Sequence, residues 1–96
     1  MRVSAIITAY NSEGFIADAI LSVLKQSLPV DEIVVVDDGS SDGTADVVAK
    51  FFDKGVKYFY QENQGPGAAR NLGIRETSGA FLAFLDADDT WLENKN

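Results

Sequence analysis

Largely apolar runs alternate along this chain with two other kinds of segment. Some are polar throughout, and others have apolar residues that fall on one side of a helix. The runs predict strands at 3–9, 32–37, 56–60 and 80–85, and the second contains four consecutive β-branched residues at 33–36. Continuous apolarity, unlike strict alternation, indicates that both faces of a strand are covered, as in a central parallel strand. The pattern therefore favours a sheet that is packed on both sides.

The segments between these runs carry helical periodicity. They predict helices at about 13–26, 44–52 and 67–75, with Ser12 as the N-cap of the first. The order βαβαβαβ, with short connections and right-handed crossovers, predicts an α/β fold. We expect a doubly wound, mainly parallel, Rossmann-like sheet with helices on both faces, formed by a single domain over 1–96.

Composition narrows the function classes. The net charge of −7 argues against general affinity for nucleic acid, which requires a basic face. The absence of cysteine and histidine excludes disulfides, thiol catalysis, Cys/His zinc sites and histidine-based triads. No apolar run approaches the roughly 18 residues that cross a bilayer. These features favour a cytoplasmic location. That location includes the inner face of the membrane, where a parent protein or partner would hold the chain.

Polar loops follow three of the predicted strands, at 8–11, 37–40 and 86–89. In an open α/β sheet, ligands bind outside the carboxyl ends of the strands, near the point where the strand order reverses. The three loops are therefore predicted to converge on one binding site.

Asp86-Ala87-Asp88 is the sharpest candidate for chemistry within these loops. Alternate carboxylates offer the oxygen ligands that a hard cation prefers, which predicts Mn²⁺ or Mg²⁺ held by Asp86 and Asp88. The position directly after an apolar strand strengthens this interpretation. The alternative is that the aspartates cap a following turn.

The remaining candidate positions are Thr8, Tyr10, Asp37, Asp38 and Arg70. Tyr10 can stack on a nucleotide base beside the Thr8 hydroxyl, or it can cover the end of the strand. One of the paired carboxylates, Asp37 or Asp38, can accept from a base N–H or a ribose hydroxyl, although turn chemistry also explains this sequence. Arg70, near the start of a helix, can meet a phosphate or pair with an acidic neighbour.

Taken together, four segments closely resemble family 2 glycosyltransferases of the GT-A fold. They are VSAIITAYN at 3–11, IVVVDDGSSDGT at 33–44, QENQGPGAARN at 61–71 and FLDADDTWL at 84–92. Each segment alone is only modest evidence for the family, but the order and spacing of the four are specific to it. Together the segments span nearly the whole chain. One departure is Thr8-Ala9, where many relatives have a proline before the equivalent Tyr-Asn.

The resemblance implies metal-dependent transfer of a sugar, with inversion, from a nucleotide-diphosphate sugar to an acceptor hydroxyl. A UDP-sugar is the expected donor, and a sugar or glycan is the expected acceptor of the full-length form. Thr8, Tyr10 and Asp38 would line the base and ribose pocket. Asp86 would face the ribose and the metal, and Asp88 would ligate Mn²⁺ or Mg²⁺ beside the diphosphate.

Such domains are usually much longer than this chain, so the resemblance implies only the donor-binding half. The acceptor site and the catalytic carboxylate would lie elsewhere, and no catalytic residue is assigned here. We expect the isolated chain to bind nucleotide weakly without transferring sugar.

Two alternatives remain at this stage. A non-catalytic nucleotide-binding module can associate into homo-oligomers through an exposed sheet edge. A haloacid-dehalogenase-like phosphatase would use the Asp-x-Asp-x-Thr pattern at 86–90, but it needs a long downstream core.

Overall fold

Four strands form one all-parallel sheet in the computed structural model, which describes residues 3–25, 30–78 and 81–87. The strands are β1 (Val3–Ala9), β2 (Glu32–Asp38), β3 (Val56–Gln61) and β4 (Phe81–Asp86). Their spatial order is β3-β2-β1-β4, so successive strands are added on one side of β1 until β4 takes its other side. This reversal of strand order beside β1 is where such sheets place their ligand sites.

Three α-helices connect the strands: α1 (Ile16–Leu24), α2 (Thr44–Ala49) and α3 (Pro66–Arg75). A short 3₁₀ turn at Phe52–Lys54 lies between α2 and β3. None of the helices within the described residues is long and apolar enough to cross a membrane.

Two hydrophobic cores lie on opposite faces of the sheet, as the continuous apolarity of its central strands predicts. Successive side chains of a strand point to opposite faces. Accordingly, Ile33 and Val35 pack with the residues of α1 and α2, whereas Val34 and Val36 pack with Ala69 of α3. The predicted fold class, a doubly wound α/β sheet, is confirmed.

Helix α3 approaches the sheet closely at one glycine. A methyl group placed on Gly73 would lie 2.5 Å from Cγ2 of Ile6, which is fully buried on β1. Real Cβ atoms do not come so close to a neighbouring carbon, because non-bonded carbons repel one another well inside their optimal separation of about 3.5–4.0 Å. Gly73 therefore sets the distance between the helix and the sheet.

The helix ends differ from those predicted. Helix α1 begins at Ile16 rather than near residue 13, and the N-cap position belongs to Phe15 without a side-chain cap. The Ser12 hydroxyl instead accepts from the Tyr10 N–H and donates to the Tyr10 carbonyl oxygen, both at 3.1 Å. Ser12 cannot cap α1 because its hydroxyl is engaged in the turn that ends β1.

Candidate functional site

An open cleft of about 570 Å³ lies at the carboxyl ends of the strands, where the sequence predicted a site. We call it the strand-end cleft. Its walls come from the segments that follow β1, β2, β3 and β4 and from α3. They are formed by Thr8, Ala9, Tyr10, Asn11, Ser12, Phe15, Asp38, Asn63, Gly65, Ala69, Asp86 and Ala87.

Thr8 and Asp86 line this cleft from two neighbouring strands. The two residues are register partners on the neighbouring strands β1 and β4. The Thr8 hydroxyl donates to Oδ1 of Asp86 at 2.8 Å. This bond orients the exposed Asp86 carboxylate at the point where the strand order reverses.

Two aromatic side chains stand on the cleft wall with more than half of their surface exposed. Tyr10 is 54% exposed and Phe15 is 56% exposed. Tyr10 was a predicted site residue, whereas Phe15 falls within the helix predicted at about 13–26 and was not predicted to line the site. Because α1 begins at Ile16, Phe15 occupies the N-cap position and is not held against the core. Exposed rings in a cleft offer flat apolar surfaces on which a planar ligand can stack.

Asp38 lies in the cleft and is only 6% exposed. Its carboxylate accepts from the Gln61 side chain and from the N–H groups of Gln64 and Gly65, at 2.8, 2.8 and 3.0 Å. Burial alone would raise the pKa of Asp38, but these three hydrogen bonds outweigh burial and lower it. The group is therefore ionised at neutral pH. It also retains accepting capacity, since an ionised carboxylate has about four lone-pair sites.

The loop that Asp38 binds comes close to β2 because of a glycine. Gly39 has φ of +88°, and a Cβ there would lie 2.8 Å from the Asn63 N atom. The Asn63 side chain in turn donates to the Asp38 carbonyl oxygen at 3.1 Å. Only glycine fits both this backbone conformation and this contact.

Asp37 differs from its neighbour in burial and contacts, and the sequence left open which of the two accepts from the ligand. Its side chain is 1% exposed and is not part of the cleft wall. Oδ1 accepts from the Ser40 N–H at 2.8 Å, and Oδ2 accepts from the Tyr58 hydroxyl at 2.5 Å. Asp37 therefore lies behind the cleft wall and holds the loop after β2.

Arg70 lies beside the strand-end cleft rather than within it. It lines a neighbouring groove of about 590 Å³, which we call the α3 groove, together with Gly67, Asn71, Ile74, Phe84, Leu85 and Asp86. Asp86 belongs to both cavities, so the groove that Arg70 lines borders the same carboxylate. Arg70 forms no salt bridge with a described residue.

The donor set at Asp86 fits a divalent cation that is shared with a ligand. No group of three or more His, Cys, Asp or Glu residues that could enclose a metal exists within 3–25, 30–78 and 81–87. Mg²⁺, however, is commonly held by one or two carboxylates together with phosphates and waters. An exposed carboxylate that borders two cavities suits this mode. The second predicted ligand, Asp88, lies outside the described residues.

Solved structures of the same fold hold nucleotides. The chain matches the S. aureus protein TarS in complex with UDP with a TM-score of 0.87 and 38% identity, over 97% of this chain and 29% of that one. It matches the mannosyltransferase PcManGT from Pyrobaculum calidifontis, in complex with GDP-Man and Mn²⁺, with a TM-score of 0.86 and 30% identity. That match covers 94% of this chain and 28% of the other.

Curated sequences that resemble this chain are also described as glycosyltransferases. The chain is 45% identical over 94 residues to the Escherichia coli UDP-Glc:alpha-D-GlcNAc-diphosphoundecaprenol beta-1,3-glucosyltransferase WfgD, covering 97% of this chain and 37% of the relative. Among several such relatives the chain spans between 14% and 38% of their length. The model of the family described as Glycosyl transferase family 2 matches residues 4–95. Because that match runs over nearly the whole chain, this protein belongs to glycosyl transferase family 2.

Proposed function

We propose that the chain is the donor-binding part of a glycosyltransferase and that the strand-end cleft receives a nucleotide-diphosphate sugar, with a UDP-sugar as the preferred donor. The observation that carries this proposal is the convergence of Tyr10, Asp38 and the Thr8–Asp86 pair in one cleft beside the strand reversal. Nucleotide complexes of TarS and PcManGT support it, since each chain is at least 30% identical to this one.

Each part of such a ligand has a suitable partner within the cleft or in the neighbouring α3 groove. The exposed Tyr10 ring stacks on the base, and Thr8 lies beside it. Asp38 accepts from a base N–H or a ribose hydroxyl with its remaining lone pair. Arg70 faces the donor from the α3 groove and pairs with a phosphate.

A divalent cation would be held by Asp86, together with Asp88, beside the diphosphate. Mn²⁺ or Mg²⁺ neutralises the charge that develops as the nucleoside diphosphate leaves. The need for a cation follows from the charges of the cleft, because Asp38 and Asp86 are both acidic and a diphosphate adds further negative charge.

For the whole protein we propose transfer with inversion to a hydroxyl of a sugar or glycan acceptor. The general base is assigned to no residue of this chain.

A cytoplasmic location, at the inner face of the membrane through a parent protein or partner, is part of the same proposal. We also propose that copies of the chain associate through the outer edges of β3 and β4, which pair with no other described strand.

Calorimetric titration with UDP tests the donor site. We expect binding in Mn²⁺ that EDTA weakens, and Asp86→Asn should reduce the Mn²⁺-dependent affinity by about tenfold or more, since one charged ligand is lost. Asp53→Asn is the matched control, because it makes the same change in the 3₁₀ turn that precedes β3, at the opposite end of the sheet. UDP binding that is equal with EDTA and in Asp86→Asn would refute the metal assignment. Absence of binding by UDP and GDP to the folded chain would refute the donor site.

A further inference from the structure

The loops that follow β1 and β2 are tied together by five hydrogen bonds, which we call the loop clamp. Residues 11–13 supply partners from the first loop, and residues 40–44 supply them from the second. The five pairs are Asn11 N to Ser40 Oγ (2.7 Å), Ser41 N to Asn11 Oδ1 (2.8 Å), Ser12 N to Thr44 Oγ1 (2.9 Å), Gly43 N to Glu13 Oε1 (3.0 Å) and Glu13 N to Asp42 Oδ2 (3.2 Å).

Asn11 is the residue of the clamp that lies next to Tyr10. Its φ of 46° lies in the left-handed region, which is uncommon outside glycine and which asparagine tolerates better than most residues. Both its backbone N–H and its side-chain oxygen are bound to the second loop. The clamp therefore fixes the backbone directly after Tyr10.

The partner of Asn11 is anchored in the core. The Ser40 N–H donates to Asp37, and the same carboxylate accepts from the hydroxyl of Tyr58 on β3. Asp37 is almost fully buried, so this chain of contacts starts from the rigid sheet. It runs from Tyr58 through Asp37 and Ser40 to Asn11, and ends beside the exposed Tyr10 ring.

We propose that Ser40 and Asn11 are positioning residues that hold Tyr10 in place for stacking on the nucleotide base. This inference rests on the proposed function of the strand-end cleft. An aromatic ring that is 54% exposed has few packing contacts of its own to restrain it. A binder whose contact residue is already ordered loses less freedom when the ligand arrives, so the clamp raises affinity without touching the nucleotide.

A double-mutant cycle tests whether Ser40 acts through Tyr10. UDP affinity in Mn²⁺ is measured for Ser40→Ala and Ser40→Thr, each with Tyr10 and with Tyr10→Ala. Tyr10→Ala should weaken binding by about 5- to 100-fold, the usual range for loss of base stacking. We expect Ser40→Ala to weaken binding about 3- to 10-fold beside Tyr10 and to have no effect beside Tyr10→Ala, since coupled residues are non-additive. Ser40→Thr, which keeps the hydroxyl, should bind as the wild type does. Equal losses in both backgrounds would overturn the proposal.

A second measurement needs no nucleotide. Amide hydrogen exchange followed by NMR should be faster at Asn11 in Ser40→Ala than in the wild type or Ser40→Thr, because the Asn11 N–H loses its acceptor. Unchanged exchange at Asn11 would overturn the positioning role even if UDP binds. Faster exchange in a chain that binds no UDP would instead refute the proposed function of the cleft and leave the clamp established.

Discussion

At the scale of single residues, Gly73 is the position where adding one methyl group has the clearest expected effect on stability. Glycine within a helix normally costs up to about 1 kcal/mol relative to alanine, so its presence in α3 needs a packing reason. The reason is the 2.5 Å approach between Ile6 Cγ2 and the position that a Cβ would occupy.

We therefore expect Gly73→Ala to lower the free energy of unfolding by about 1–3 kcal/mol, because overpacking outweighs the gain in helix propensity. Gly67→Ala is the matched control in the same helix, since no atom lies within 4 Å of its added methyl group. It should be neutral or stabilising by up to about 1 kcal/mol. Urea unfolding of both variants is the measurement, and equal effects at the two glycines would contradict this account of the helix–sheet distance.

At the scale of elements, β3 shows that two like residues on one face of a strand can have different surroundings. Tyr58 and Tyr60 are two residues apart, so their side chains point to the same face. Tyr58 packs against the core shared with α1 and α2, and its hydroxyl reaches Asp37, whereas Tyr60, nearer the end of the strand, is 56% exposed. Burial raises the pKa of Tyr58, and the hydrogen bond and charge of Asp37 raise it further, so the hydroxyl stays protonated and donating through the physiological range.

Tyr58→Phe should lower the free energy of unfolding by about 1–3 kcal/mol, because a buried carboxylate oxygen loses its donor. Tyr60→Phe, two residues along the same strand, should change it by less than about 0.5 kcal/mol. Thermal and urea unfolding of the pair are the measurements. A Tyr58→Phe protein as stable as Tyr60→Phe would show that the Asp37 contact contributes nothing to the fold.

The alternation of side chains between the two faces of a strand explains which parts of the site were predictable. The apolar run at 3–9 predicted β1 with its observed bounds, and the strand ends predicted where the cleft lies. Adjacent Asp37 and Asp38 could not be distinguished by composition, because only the face of β2 on which each lies separates a buried anchor from a cleft residue. The start of α1 was misplaced for a similar reason. The hydroxyl of Ser12 has two competing uses, and only the tertiary structure decides between them.

At the scale of the whole molecule, one buried carboxylate joins several elements at the end of the sheet opposite the cleft. Glu32 accepts from the hydroxyl of Ser4 on β1 at 2.6 Å, from the N–H of Ser78 at 2.8 Å and from Lys57 on β3 at 3.2 Å. Burial alone would raise the pKa of Glu32, but these hydrogen bonds and the charge of Lys57 lower it from 4.5 to about 2.

A depressed pKa stabilises the fold above the ordinary value of 4.5, and the contribution is lost as pH falls towards about 2. Glu32→Gln should therefore lower the free energy of unfolding by about 1–3 kcal/mol at neutral pH, and the difference from wild type should shrink steadily below pH 4.5. Glu62→Gln, at an exposed position, should have little effect. Urea unfolding from pH 7 to pH 2.5 is the measurement, and a difference between Glu32→Gln and wild type that is independent of pH would exclude this linkage.

The hydrogen bond between Thr8 and Asp86 joins residues 78 positions apart in the sequence. Contacts of such separation slow folding, because a long loop must close before any stabilisation is gained. During synthesis β1, β2 and β3 leave the ribosome first, while the β1 edge that receives β4 waits for residues 81–86. The binding cleft is therefore completed only after residues 81–86 have been synthesised, and until then the β1 edge of the nascent chain is an unpaired edge open to aggregation.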